Sequence, residues 1–234
     1  MGLYDRDYYR DSPSSSVGGF AMWSVTTWII VINVAVFVLD GVLTPRDLYG
    51  QAVSPLLALG YFSIDKALGG LQLWRFITFQ FLHASIGHIF GNMLGLYFFG
   101  PMVEQYLGRQ RYLIFYLSCG VAGACSFILL SAAHILGSTP GSAMIGASAG
   151  VFGVLIAGAR LAPDTTVMLL FPPIPMKLKT LAWVMVGIAA YTVFTSGRNA
   201  GGEAAHIGGA IWGFLLIRNA HWINWPLARK RPRR

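Results

Sequence analysis

From Tyr112 to Ala159 the chain carries no Asp, Glu, Lys or Arg. An uncharged stretch of that length cannot be shared between the inside and the surface of a water-soluble domain, because the surface half would have nothing to solvate. The rest of the chain agrees: 55% of its residues are hydrophobic, 11% are charged, and the mean hydropathy is +0.59, outside the range of ordinary soluble domains. These features predict a polytopic membrane protein. A hydrocarbon layer about 30 Å thick takes about 20 apolar residues per helical span. Six spans and their loops would therefore occupy most of the 234 residues and leave no second globular domain. The expected fold class is all-α, a bundle of six transmembrane helices.

Charge gaps and chain breakers place the spans near 20–39, 84–103, 112–133, 148–159, 180–196 and 204–217. Gly137-Ser138-Thr139-Pro140-Gly141 is the breaker that divides the long uncharged run in two. The expected organisation is a polar tail over 1–19, a membrane domain over 20–218 and a basic tail over 219–234. Nothing in the first tail has the apolar core and cleavage site of a signal peptide. Cys119 and Cys125 sit in an apolar run and read as small core residues rather than a disulfide. Much of the +8 charge lies in Arg229-Lys230-Arg231-Pro232-Arg233-Arg234. Beside a membrane span such a run sets topology and touches anionic lipid, so lipid and not nucleic acid is the expected partner.

Six spans bring both termini to one side. Thirteen of the 17 Lys and Arg residues then share that side, leaving only Arg46, Lys66, Arg75 and Arg198 opposite. The positive-inside rule makes the crowded side cytoplasmic. The outer loop from Val42 to His83 is long and rich in Leu, Tyr and Phe around Trp74, which predicts a segment packed on the protein and the membrane interface.

In this arrangement His88, Asn92, Ser148 and His206 share roughly one depth on three helices. Polar groups inside spans face a bundle interior or a wet cavity, and they are functional candidates. The fourth span is too short to cross the hydrocarbon, so its N-terminus and the Gly-rich stretch before it must lie within the membrane, buried in protein or lining a cavity. That N-terminus presents unpaired N–H groups beside the Ser148 hydroxyl, a setting suited to a developing oxyanion. His88 and Asn92, spaced i, i+4, fall on one helix face and add donors. His206 would be the general base for Ser148. Asp40 and Glu203 lie near the outer surface without a spacing that marks either as a third member, so the economical reading is a Ser–His dyad. A metal centre from His83, His88 and His206 is disfavoured by the i, i+5 spacing and the lack of a carboxylate, and no cofactor is expected.

Several motifs in order resemble the rhomboid family of intramembrane serine proteases. They are Trp74-Arg75, His83-Ala-Ser-Ile-Gly-His88-Ile-Phe-Gly-Asn92, Glu104 followed by Gly108, Gly146-Ala-Ser148, and Ala205-His206-Ile-Gly-Gly209-Ala-Ile-Trp-Gly213. The resemblance implies Ser148 as nucleophile, His206 as base, and His88 and Asn92 at the oxyanion. Arg75 and Glu104 match structural positions, and Phe152 matches an aromatic stacked on the catalytic imidazole. Ala149 departs from the Gly of many members. The visible plan resembles the minimal six-span form typical of bacterial members, which implies a bacterial plasma membrane. It also implies single-span membrane proteins as substrates, with small residues at the cut.

Other readings attach to the same residues. Ser148 alone reads as a packing residue, and His206 alone as a hydrogen-bonding core histidine. Gly209 and Gly213 read as a G-x-x-x-G packing step that lets the sixth span approach the fourth. Glu104 with Arg109 or Arg111 reads as an inner-surface ion pair. As a whole, the expectation is an intramembrane serine endopeptidase, with a non-catalytic rhomboid-like protein that binds membrane clients as the alternative. A transporter is disfavoured, since the two halves show no repeat.

Overall fold

The computed structural model describes residues 23–44, 54–169 and 172–227, with side chains as far as Ile223. The expected N-terminal tail, Arg46 and the basic run from Arg229 lie outside these residues. Six main helices carry the fold: α1 (Val25–Leu43), α4 (Ile86–Leu107), α5 (Arg109–Ala132), α6 (Ser148–Leu161), α7 (Leu178–Phe194) and α8 (Ala200–Arg218). Two short helices, α2 (Pro55–Gly60) and α3 (Arg75–Thr78), belong to the loop between α1 and α4. The all-helical expectation needs one amendment, because β1 (Thr166–Met168) and β2 (Pro175–Lys177) pair antiparallel between α6 and α7. At the base of this ribbon, hydrogen bonds from Lys179 and Lys177 hold the Asp164 carboxyl below the usual carboxylate range.

By length and composition, α1, α4 and α5 are each able to cross a membrane. The other three fall short for visible reasons. α6 has 14 residues and α7 has 17, while α8 carries Glu203 and His206 within its first two turns. Large apolar side chains such as Val38, Phe90, Leu129, Trp183 and Phe194 point outward and are exposed. This is a helical membrane protein whose surface carries large apolar side chains suited to lipid, while Tyr112, Phe115, Tyr116 and Phe127 fill its interior and glycines line the contacts of α8.

The glycines of α8 set how closely it approaches its neighbours. Without a hydrophobic force between helices in lipid, close van der Waals contact must hold them together, and Gly permits the closest approach. α8 packs against α5, α6 and α7. A Cβ at Gly209 would lie 2.1 Å from the Ala149 carbonyl oxygen, and one at Gly213 would lie 2.6 Å from the Gly153 Cα. The G-x-x-x-G step thus seats α8 backbone to backbone on α6, as its spacing suggested.

Two charged residues matched to structural positions hold distant parts of the chain together. Glu104, buried near the end of α4, accepts from the Val25 N–H (2.7 Å), the Thr26 N–H (2.8 Å) and the Thr26 hydroxyl (2.7 Å). It caps the first turn of α1, whose amides have no intrahelical partner and whose dipole favours a negative charge. The ion-pair reading of Glu104 did not anticipate this contact. One residue, Gly108 at φ +78°, then separates α4 from α5, an angle that favours glycine at so tight a turn. Replacing Glu104 with glutamine, which keeps the shape but removes the charge, is expected to destabilise the protein by about 2–4 kcal/mol, as charge-assisted bonds to buried donors imply. A thermal melt in detergent measures this; an unchanged melting temperature would mean that apolar packing alone holds α1.

Arg75, also buried, donates to the Tyr61 and Ala58 carbonyls and to Gln72 Oε1, and it lies over the Tyr61 ring. The first two contacts satisfy carbonyls at the C-terminal end of α2. Around this clamp Phe62 and Phe79 pack on Phe127 and Met144, so the described part of the long loop between α1 and α4 is folded onto the protein, as its apolar content predicted.

Candidate active site

Ser148 is the first residue of α6, and what precedes it determines where it stands. The non-helical run from Gly137 to Ala147 is secured by the segment between α1 and α4: Met144 and Phe62 exchange backbone hydrogen bonds (2.8 and 3.0 Å), the Asp65 N–H donates to the Pro140 carbonyl, and the Gly146 N–H donates to the Phe79 carbonyl (2.9 Å). Irregular backbone at membrane depth is tolerated when its polar groups are satisfied in this way. Gly146 has φ +128°, and a Cβ there would lie 2.7 Å from His88 Nε2 and 3.5 Å from Ser148 Oγ. Both the backbone angle and the lack of space require glycine. At 14 residues, α6 rises about 21 Å. Ala149 packs against Gly123 of α5 and Val151 against Gly95 of α4, both well inside their helices, so α6 starts short of the ends of these neighbours.

The Gly209 contact lies one turn beyond His206 on α8, and it brings the imidazole to α6. His206 Nε2 is 2.7 Å from Ser148 Oγ. Phe152, one turn after Ser148, stacks on the imidazole with ring centroids 4.2 Å apart and planes 12° from parallel. Stacking and hydrogen bonding together leave the ring little freedom to rotate.

At the other ring nitrogen lies a contact that the dyad reading did not include. His206 Nδ1 lies 2.8 Å from Glu203 Oε2, with the two side chains 14% and 20% exposed. A carboxylate only accepts, so Nδ1 carries the proton and the Nε2 lone pair faces the serine hydroxyl. The signal was present in the sequence as an i, i+3 spacing, which puts both side chains on one helix face. It was hidden because apolar content placed the start of this helix near Ala204, whereas α8 begins at Ala200 and includes Glu203.

Across the site, His88 and Asn92 stand on the first turns of α4, whose N-terminus is capped by Ser85. The Ala84 N–H donates to His88 Nδ1 (3.4 Å), which leaves the proton on Nε2, the atom facing Gly146 and Ser148. Asn92 is buried, and its side-chain amide donates to the His88 carbonyl (3.0 Å), so its second N–H is available. His83 is buried beside His88, with ring centroids 5.0 Å apart, and it lines a separate cavity of about 130 Å³ together with Asp40. Ser148, His206, His88, Asn92 and Phe152 share one cavity of about 850 Å³. Its rim includes the Gly137–Ile145 segment and the start of α8. Of the other residues singled out in the sequence, Gly146 lies between His88 and Ser148, Gly209 and Gly213 lie under the site at the α6–α8 contact, and Arg75 and Glu104 lie away from it as structural clamps.

Comparison with known proteins puts a family behind these residues. A model of the rhomboid domain matches residues 70–222. RHOMBOID-like protein 12, mitochondrial, of Arabidopsis thaliana is 29% identical, over 90% of this chain and 57% of the relative. RHOMBOID-like protein 2 of the same plant is 32% identical, over 74% and 50%. Rhomboid-like protease 3 of Toxoplasma gondii is 25% identical, over 81% and 66%. The chain spans about half the length of the curated relatives it matches. These relatives are eukaryotic, and one is named as mitochondrial, so they lend no support to a bacterial plasma membrane. The domain match takes in α4 to α8 with every residue of the cavity described above, and the chain belongs to the rhomboid family.

Proposed function

We propose that this protein is an intramembrane serine endopeptidase, and that α1, α4, α5, α6, α7 and α8 are its six spans, with both termini on the cytoplasmic side. The observation that carries the reading is the 2.7 Å contact of Ser148 Oγ with His206 Nε2 at the wall of a cavity of about 850 Å³. A hydroxyl and an imidazole at that distance transfer a proton, and a cavity of that size has room for an unwound stretch of peptide and for water. The contact between Glu104 and the start of α1 supports the up-and-down arrangement, since it brings the end of α4 to the beginning of α1.

In this mechanism Ser148 Oγ attacks the scissile carbonyl carbon as its proton passes to His206 Nε2. The carbonyl oxygen takes the negative charge and is held by His88 Nε2–H, the free N–H of Asn92 and the Ser148 backbone N–H at the start of α6. Collapse breaks the C–N bond, and His206 gives its proton to the leaving amine. Water from the cavity, deprotonated by His206, then releases the acyl group and restores Ser148. No cofactor takes part. The substrates are single-span membrane proteins, cut near the outer end of the span where the helix unwinds, because a helical backbone keeps its carbonyls hydrogen-bonded. The rival, a rhomboid-like protein that binds clients without cutting them, leaves the Ser148–His206 contact without a use.

A fluorophosphonate probe applied to the purified protein in detergent and in liposomes tests the reading. Wild type is expected to be labelled covalently and Ser148→Ala to remain unlabelled. A folded wild type that stays unlabelled would transfer support to the client-binding rival.

A further inference from the structure

Glu203 has no part in a Ser–His dyad, yet its carboxylate lies 2.8 Å from the ring nitrogen opposite the serine. No Asp or Glu lines the site cavity itself among the described residues; Glu203 reaches the site through the far side of the His206 ring. Three features make the contact more than a surface ion pair. Both side chains are largely covered, at 14% and 20% exposure, so water screens the pair less than it would at a surface. Glu203 is the fourth residue of α8, so it stands at the positive end of the helix dipole, a favourable place for an acidic side chain. Phe152 holds the imidazole plane from the side, so the carboxylate meets a ring that is already oriented.

We infer that Glu203 is the positioning residue of the Ser148–His206 pair: by accepting from Nδ1–H it selects the tautomer whose Nε2 lone pair faces Ser148, and its charge offsets the imidazolium formed when Ser148 gives up its proton. The inference rests on the serine-hydrolase reading of the site. Without the carboxylate, the proton is free to sit on Nε2, where the imidazole donates to Ser148 and cannot act as base. The alternative use of Glu203 is structural, as a carboxylate that steadies the first turn of α8. That use would affect stability and leave the chemistry of a folded protein unchanged.

The rate of covalent reaction with a fluorophosphonate probe separates these roles, because its maximal rate constant (kinact) reads the nucleophile and its half-saturation constant (KI) reads probe binding. Three variants are needed: Glu203→Gln keeps an acceptor without charge, Glu203→Met keeps the volume without either, and Glu203→Asp keeps the charge at shorter reach. The expected order of kinact is wild type, then glutamine about ten-fold lower, then methionine about a hundred-fold lower, with KI and melting temperature unchanged; a partly covered carboxylate should count for less than the buried one of soluble serine proteases. Aspartate is expected to recover more rate than methionine. If all three variants react at the wild-type rate, Glu203 has no positioning role and the hydrolase reading stands. A loss of kinact that follows a fall in melting temperature across the series also overturns the inference, since Glu203 would then be holding the helix and not the ring. Failure of the folded wild type to react overturns the hydrolase reading itself, and is distinguished by the absence of any rate to compare.

Discussion

Replacing His206 with alanine is expected to abolish fluorophosphonate labelling and to lower cleavage of a single-span reporter by about 10⁴-fold or more, as loss of the base does in serine hydrolases whose nucleophile and base act as a unit. The reason is local. Among the described residues, His206 Nε2 at 2.7 Å is the near acceptor for the Ser148 Oγ proton, and a neutral hydroxyl is a weak nucleophile. The fold should survive the change, because α6 and α8 are joined by the backbone contacts at Gly209 and Gly213 rather than by the imidazole. Activity and melting temperature should therefore separate. Turnover within ten-fold of wild type would remove His206 from the reaction and with it the proposed mechanism.

The second large effect comes from a residue that touches no reacting atom. Gly209→Val is expected to cost at least about a hundred-fold in activity, the scale of a 1 Å misplacement of catalytic groups. A Cβ at this position would lie 2.1 Å from the Ala149 carbonyl oxygen and 2.7 Å from its carbon. Both are backbone atoms, so no rotamer change relieves the clash and the two helices must separate. His206 is one turn before Gly209, and Ala149 directly follows Ser148, so the separation falls between the two groups that must share a proton. Overpacking of this kind also destabilises by about 1–3 kcal/mol. The matched control is Gly187→Ala on α7, where a Cβ meets nothing within 4 Å; it should be neutral or slightly stabilising, as Gly to Ala is in an open helix position. Equal behaviour of the two variants in activity and melting temperature would show that the α6–α8 approach does not hold the site.

Much of this architecture can be read from the residues because it depends on short-range regularities. The apolar runs bounded by charges correspond to α1, α4, α5, α6, α7 and α8 within a few residues at most ends. Ser148 was placed at a helix start because the Gly-rich segment before it cannot continue a helix, and His88 and Asn92 were put on one face by their i, i+4 spacing. Helix ends were harder. The first turn of α8 is Ala-Gly-Gly-Glu, which has no apolar periodicity, so Glu203 fell outside the expected span and its contact with His206 was missed. The β1–β2 ribbon surrounds a proline-rich segment that reads as a loop, since Pro lacks the N–H of a sheet ladder. Glu104 was matched to a structural position, yet its partners lie 78 and 79 residues earlier, and a carboxylate near basic residues suggests a local ion pair first.

The sequence by itself therefore determined the elements and the cast of polar groups: where helices can form, which faces are small, and which hydroxyl, imidazoles and amide share a depth. Only the tertiary structure decided which of these groups meet. Backbone regularity repeats every 3.6 residues and is written locally, whereas the 2.7 Å between Ser148 and His206 depends on how closely two helices 58 residues apart can pack. That distance is set by missing side chains at Gly209 and Gly213, by a stacked ring at Phe152, and by a carboxylate on the far side of the imidazole, which act together only once α6 and α8 are in contact.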